Sequence, residues 1–188
     1  MSYVQRRRFL WILFLAALAL LAAVASATTL AKMRFEELAR QATAVARLRC
    51  LGAESRWENG EIWTETRFEV VEQNKGLLPG LVTVRLLGGT VGPLHSRIEG
   101  VPAFRPGEEA YVFLWHREGE PYRILGWSQG TFRILKDVRT GMETVTQDSA
   151  AAPLLDPQTH QFRHGGVRNL PVAVFQLKLR KALEEKTE

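Results

Sequence analysis

The spacing of hydrophobic and polar positions changes along the chain, and each change predicts an element. Phe9 to Ala25 is an unbroken apolar run with no charge, glycine or proline. In Met33 to Gln41, Phe35, Leu38 and Ala39 recur at i, i+3 and i+4 with Glu36, Glu37 and Arg40 opposite, the period of a short amphipathic helix. At Ala44 the period drops to two. Ala44, Ala46, Leu48 and Cys50 share one face and Arg47 and Arg49 the other, which predicts a half-buried strand running to Glu54. Glu58-Asn59-Gly60 reads as a turn, because Asn-Gly takes positive φ at little cost. Alternation resumes from Ile62 to Glu72, with Ile62, Thr64, Thr66, Phe68 and Val70 on one side. It returns over Val82 to Leu86 and stops at Gly88-Gly89.

Residues 88–108 hold five glycines and three prolines and show no period, which predicts a long loop, either functional or mobile, whose apolar side chains pin it to the barrel or face outward. Ala110 to Trp115 is apolar on both faces, as a central strand would be. Tyr122 to Leu125 and Thr131 to Lys136 are short strand candidates, and Asp137 to Gly141 predicts a hairpin turn into Glu143 to Gln147. Residues 148–169 are aperiodic. Pro171 opens a last helix over residues 171–185, with Val172, Phe175, Leu179 and Leu183 as its apolar stripe. Five to seven strands with no helix-length segment between them predict a mainly β fold, a small barrel or sandwich with an N-terminal and a C-terminal helix.

Charge placement changes the reading of the N-terminus. Of 25 basic residues, Arg6, Arg7 and Arg8 lie before the apolar run, and no acid precedes Glu36. The run ends in Ala25-Ser26-Ala27, a small-x-small pattern that signal peptidases read. Residues 1–27 are therefore expected to be a secretory signal cleaved after Ala27, leaving Thr28 first in a single β-rich domain of residues 28–188. The alternative is an uncleaved anchor, and only in that case would the protein touch a membrane. Arg6-Arg7-Arg8-Phe9-Leu10 also fits a twin-arginine pattern, although the run is more apolar than that route favours. Either way the body is exported, to the periplasm or beyond. Without the signal, 22 basic residues face 20 acidic ones, a balance that does not point to nucleic acid as partner.

The chemistry-bearing residues form no strong constellation. His160 and His164 have a spacing that would suit a helix, but they lie in an aperiodic stretch without a third ligand, so solvated loop histidines are expected and no metal or cofactor. His95 and His116 are isolated. Cys50 falls on the apolar side of a strand, where cysteine behaves as a small hydrophobe. Ser55, Ser96 and Ser128 lack a G-x-S-x-G elbow. Gly88-Gly89-Thr90-Val91-Gly92 is followed by no Gly-Lys-Ser/Thr and reads as a turn rather than a phosphate cradle. Trp57, Trp63, Trp115 and Trp127 with Arg47, Arg49, Arg56, Arg67 and Arg85 could build an aromatic–basic face, or simply pack.

Several motifs carry a resemblance. Phe35-Glu36-Glu37-Leu38, Lys75-Gly76, Gly88-Gly89, residues 100–109 (GVPAFRPGEE) and residues 126–133 (GWSQGTFR) resemble a family of uncharacterised exported bacterial proteins. More distantly, the element order is similar to netrin-like modules, OB-type barrels that include the tissue inhibitors of metalloproteinases. That likeness implies a small OB-like barrel. It departs where those inhibitors place an N-terminal cysteine on the protease zinc, since the expected first residue here is Thr28 and Cys50 lies inside a strand. The expected function is a non-catalytic binding module of the cell envelope with a protein partner, in its sharper form an exported metalloprotease. An envelope hydrolase with a dispersed site is the alternative. Leu94, Ile98, Val101 and Phe104, in the 88–108 loop, and Trp127 are the candidate partner-binding residues, because prolines limit that loop's freedom and so the entropy lost on binding.

Overall fold

The computed structural model describes residues 30–185. The expected signal segment and the cleavage after Ala27 lie outside the described residues. Among the described residues no helix is long and apolar enough to cross a membrane.

Helix α1 (Phe35–Gln41) buries Leu38 and Ala39 and carries Glu36 and Glu37 in its first turn, where acids complement the helix dipole. Its last carbonyls are capped from a distance: the Lys75 ammonium donates to the carbonyls of Ala39 (2.8 Å) and Arg40 (2.9 Å). Burial lowers the Lys75 pKa. Strands β1 (Ala44–Glu58) and β2 (Glu61–Lys75) form a long hairpin through Asn59 (φ 52) and Gly60 (φ 87), the left-handed pair expected of an Asn-Gly turn. Three register irregularities interrupt the β1–β2 ladder, and bulges of this kind bend a strand and increase its twist.

The remaining strands are β3 (Leu81–Leu87), β4 (Gly89–Val91), β5 (Leu94–Ser96), β6 (Glu109–Trp115), β7 (Arg123–Ile124), β8 (Thr131–Lys136), β9 (Glu143–Gln147), β10 (Leu154–Asp156), β11 (Gln161–Arg163) and β12 (Leu170–Pro171). They end in helix α2 (Val172–Glu184). One antiparallel sheet runs β12-β9-β8-β6-β1-β2-β3, with β7 paired to β6. The chain is mainly β, as the alternation predicts.

Strand β6 and the first residues of β1, Ala44 to Ala46, are buried on both faces, and this divides the interior in two. Ala44, Ala46, Leu48 and Cys50 of β1 join Val112 and Leu114 of β6, Phe68, Val84 and Ile124 in one core. Val45 of β1 and Tyr111 and Phe113 of β6 point the other way, into a core closed by α1, α2 and Phe132. Phe35 is the aromatic hub of that second core, edge-on to Phe113, Phe132 and Phe175 at 5.5–5.8 Å.

The structure differs from the sequence-based expectation in three places. The expected barrel does not close through regular ladders: between β3 and the segment leading into β7 there is a single parallel bridge, Val84 with Tyr122. The 88–108 loop is not structureless, because β4 and β5 pair across Gly92-Pro93. Likewise the aperiodic 148–169 segment contains a 3-10 turn (Asp148–Ala151) and the β10–β11 hairpin. Strands of three residues are too short to display a period of two, so only tertiary pairing defines them.

Candidate functional site

A groove of about 890 Å³ opens beside the first core. Its walls are the outer half of the β1–β2 hairpin, the β4–β5 hairpin, the 97–104 segment, and the turn and hairpin of residues 148–163. Glycine builds the first corner. Gly88 (φ 93) and Gly89 (φ 135) take conformations that side-chain residues avoid, and a Cβ on Gly89 would collide with the hydroxyls of Ser55 and Thr64. Those hydroxyls bond one another at 2.8 Å, Thr64 donates to the Gly88 carbonyl, and Ser55 accepts the Thr90 amide at 3.3 Å. Ser55 is thus committed to holding the corner, and among the described residues no histidine or acid is bonded to it.

Arginine builds the opposite wall. Arg133 of β8 donates to Asp148 (2.7 Å), Glu108 (2.6 Å) and the Ala103 carbonyl (2.6 Å), and its guanidinium lies 4.7 Å over the Phe104 ring. Phe104 in turn sits edge-on to Phe68 at 5.0 Å. One guanidinium therefore ties the 103–108 segment to the sheet. Burial pushes the Asp148 carboxyl above its ordinary value, against the pull of Arg133. Asp148 and Glu108 each give Arg133 one carboxylate oxygen, so the cluster latches this wall to the sheet.

Between the two walls the floor is apolar: Leu30, Leu86, Val101, Phe104 and Leu154. Arg97 and Glu99 stand exposed at the rim, and among the described residues neither has an ion-pair partner. His95 is exposed beside them, its Nδ1 2.9 Å from the Thr90 hydroxyl. The arrangement suits an apolar side chain or an extended segment, with a charged rim to orient it.

Of the five residues singled out in the sequence, the groove brings together Ile98, Val101 and Phe104. Phe104 is buried and packs in the first core, with Val101 half-buried against it. Leu94 is half exposed on β5 and Trp127 sits in the 3-10 turn at φ 53, both outside the groove lining. Sequence reasoning missed Arg133, Asp148, Leu30 and Phe162, which reach the groove from distant segments. Arg133 alone had a signal, as the last residue of the 126–133 motif.

Of the arginines in the aromatic–basic set, Arg47, Arg49, Arg56 and Arg85 are ion-paired. Arg47 and Arg49 both bind Glu109, at 2.6 and 2.8 Å, and extend to Glu143 and Glu69. Arg85 bonds Glu58 and stacks 4.5 Å over Trp63. His160 occupies the β10–β11 turn at φ 52, and His164 lies within 3.2 Å of the Ala151 carbonyl. Among the described residues no three of His, Cys, Asp and Glu are grouped to hold a metal ion. Cys50 is 1% exposed and burial pushes its thiol up. No family model, curated protein or solved structure matches the chain.

Proposed function

We propose that this chain is an exported, non-catalytic binding module of the bacterial cell envelope that engages a protein partner through the groove. The observation that carries the reading is a groove with an apolar floor, in whose walls Ser55 is bound to Thr64 and Arg133 to Asp148 and Glu108. Export is supported by Arg6-Arg7-Arg8, the apolar run and Ala25-Ser26-Ala27. The finer fold reading is an OB-like, netrin-like barrel. In its support, β1, β2, β3, β6 and β7 surround one core, and the Val84–Tyr122 bridge joins β3 to the residue just before β7. An exported metalloprotease is the sharper form of the partner, supported by the netrin-like resemblance alone. With Thr28 in place of a cysteine at the expected mature N-terminus, contact would have to use other groups than a thiolate on zinc.

The test compares two aspartates introduced into tagged full-length protein, one inside the groove and one outside. Ile98→Asp should abolish partner capture in envelope pull-downs, while Leu94→Asp should leave it intact, both with melting temperatures near that of the parent. Undiminished capture by Ile98→Asp would refute the groove as the site. The hydrolase alternative draws on Asp148, the groove carboxyl that burial pushes up. Hydrolysis of a peptide, ester or glycan by the purified protein, lost in Asp148→Asn, would establish that reading instead.

A further inference from the structure

The first described residues run extended between two parts of the molecule that otherwise share little. On one side, Ala31 forms a parallel bridge with Leu155 of β10. The Lys32 amide donates to the Leu155 carbonyl (2.8 Å), and the Leu155 amide donates to the Leu30 carbonyl (3.1 Å). On the other side lies Gln129, 2% exposed. Its side-chain amide donates to the Ala31 carbonyl (2.8 Å), and its side-chain oxygen accepts the Met33 amide (2.7 Å). Successive backbone groups thus alternate between β10 and Gln129, using both edges of the segment. Gln129 is anchored in the body, since its backbone carbonyl accepts the Gln147 side-chain amide at 2.6 Å.

What the segment joins to the body is one wall of the groove. The β10–β11 hairpin belongs to a separate two-stranded sheet and pairs with no strand of the large one. An isolated two-stranded hairpin is marginal in water, so its docking depends on Leu154, which is buried, and on the edge pairing with residues 30–32. Leu30 continues the contact into the groove. It lies against Gly100 (φ 81), where a Cβ would collide with its side chain. Phe162, at the rim of the groove, is 62% exposed.

We propose that residues 30–33 are a clasp that holds the β10–β11 hairpin as a flap over the groove, with Gln129 as its catch. Releasing the clasp at either edge frees the same flap and widens the groove. Because the two sets of hydrogen bonds act in series, breaking either is sufficient and breaking both adds little. The proposal concerns access to the groove and stands whatever the groove binds.

Amide hydrogen exchange on the full-length chain tests it, because exchange reports local opening separately from global unfolding. Gln129→Leu removes the catch on the body side. Lys32→Pro removes the donor to Leu155 on the flap side, at a residue outside the core. Each variant should raise exchange across Leu154 to Arg163 about tenfold, the size expected for losing one or two hydrogen bonds. Amides of β1 and β6 should keep their protection, and the double variant should exchange no faster than about twice either single one. The clasp is refuted if the flap keeps its protection in Lys32→Pro, if the two effects multiply, or if β1 and β6 lose protection in step with the flap. Should Gln129→Leu fail to fold, flap exchange in Lys32→Pro decides the matter alone.

Discussion

Glu109 shows how single residues were given structural work in this protein. It stands first in β6 and receives both Arg47 and Arg49 from β1, so it fixes the pairing of the two central strands. Burial alone would raise its pKa, but the hydrogen bonds from Arg49 and Arg47 outweigh that and hold it below the ordinary carboxylate value. A carboxyl lowered in the folded state stabilises above its unfolded value, near 4.5, and that stabilisation is lost as pH falls through the folded pKa. Glu109→Gln should therefore cost roughly 1–3 kcal/mol at neutral pH. The gap to the parent should close as the solution is acidified below the unfolded value, measured by urea unfolding at a series of pH values. A gap that stays constant with pH would mean that shape, not charge, is what the position supplies. The Lys75-Gly76 pair is structural in the same way. Lys75 caps α1, and a Cβ on Gly76 (φ 73) would sit 2.5 Å from the Thr43 carbonyl oxygen.

At the scale of elements, the 88–108 segment divides into two parts with different roles. The β4–β5 hairpin projects with Leu94 half exposed, whereas Val101 and Phe104 close the first core. Shortening residues 90–95 to a two-residue turn should leave the melting temperature within a few degrees of the parent, since little apolar area is uncovered. Phe104→Ala should cost roughly 3–5 kcal/mol, the range for emptying a buried aromatic site. It should also loosen Arg133, whose guanidinium stacks on that ring. Calorimetry on the two variants separates the roles, and equal losses would contradict the division. The hairpin reading of β1 and β2 was legible because Asn59-Gly60 sits between two alternating runs. The short strands β4, β5, β10 and β11 were not, because three residues cannot express a period.

For the whole molecule, the sheet separates a core under two helices from a core beside the groove, and β1 and β6 contribute to both. A destabilising change in either core should then lower one cooperative transition rather than split it. The N-terminal processing belongs to this scale because the clasp begins at Leu30, close behind the expected cleavage site. Intact-mass analysis of protein from the envelope fraction should find a chain beginning at Thr28. A full-length species resistant to alkaline washing would replace the cleaved form with an anchored one.

Local pattern in the sequence is enough for the mainly β class, the long hairpin, the doubly buried strand at Ala110 to Trp115 and the two flanking helices. Each of these writes its burial into a local period of two or of 3.6, or into a turn residue with a particular φ. The sequence also singled out Leu94, Ile98, Val101, Phe104 and Trp127, of which Ile98, Val101 and Phe104 line the groove and Leu94 and Trp127 do not. The groove itself comes from contacts between distant segments. Gln129 meets Ala31 and Met33 across nearly a hundred residues, and Arg133 joins Ala103 and Glu108 of one segment to Asp148 of another. A local pattern reports whether a side chain is buried. It carries no record of which distant backbone carbonyl or carboxylate that side chain will meet, because the meeting depends on how the sheet curves and where its loops return.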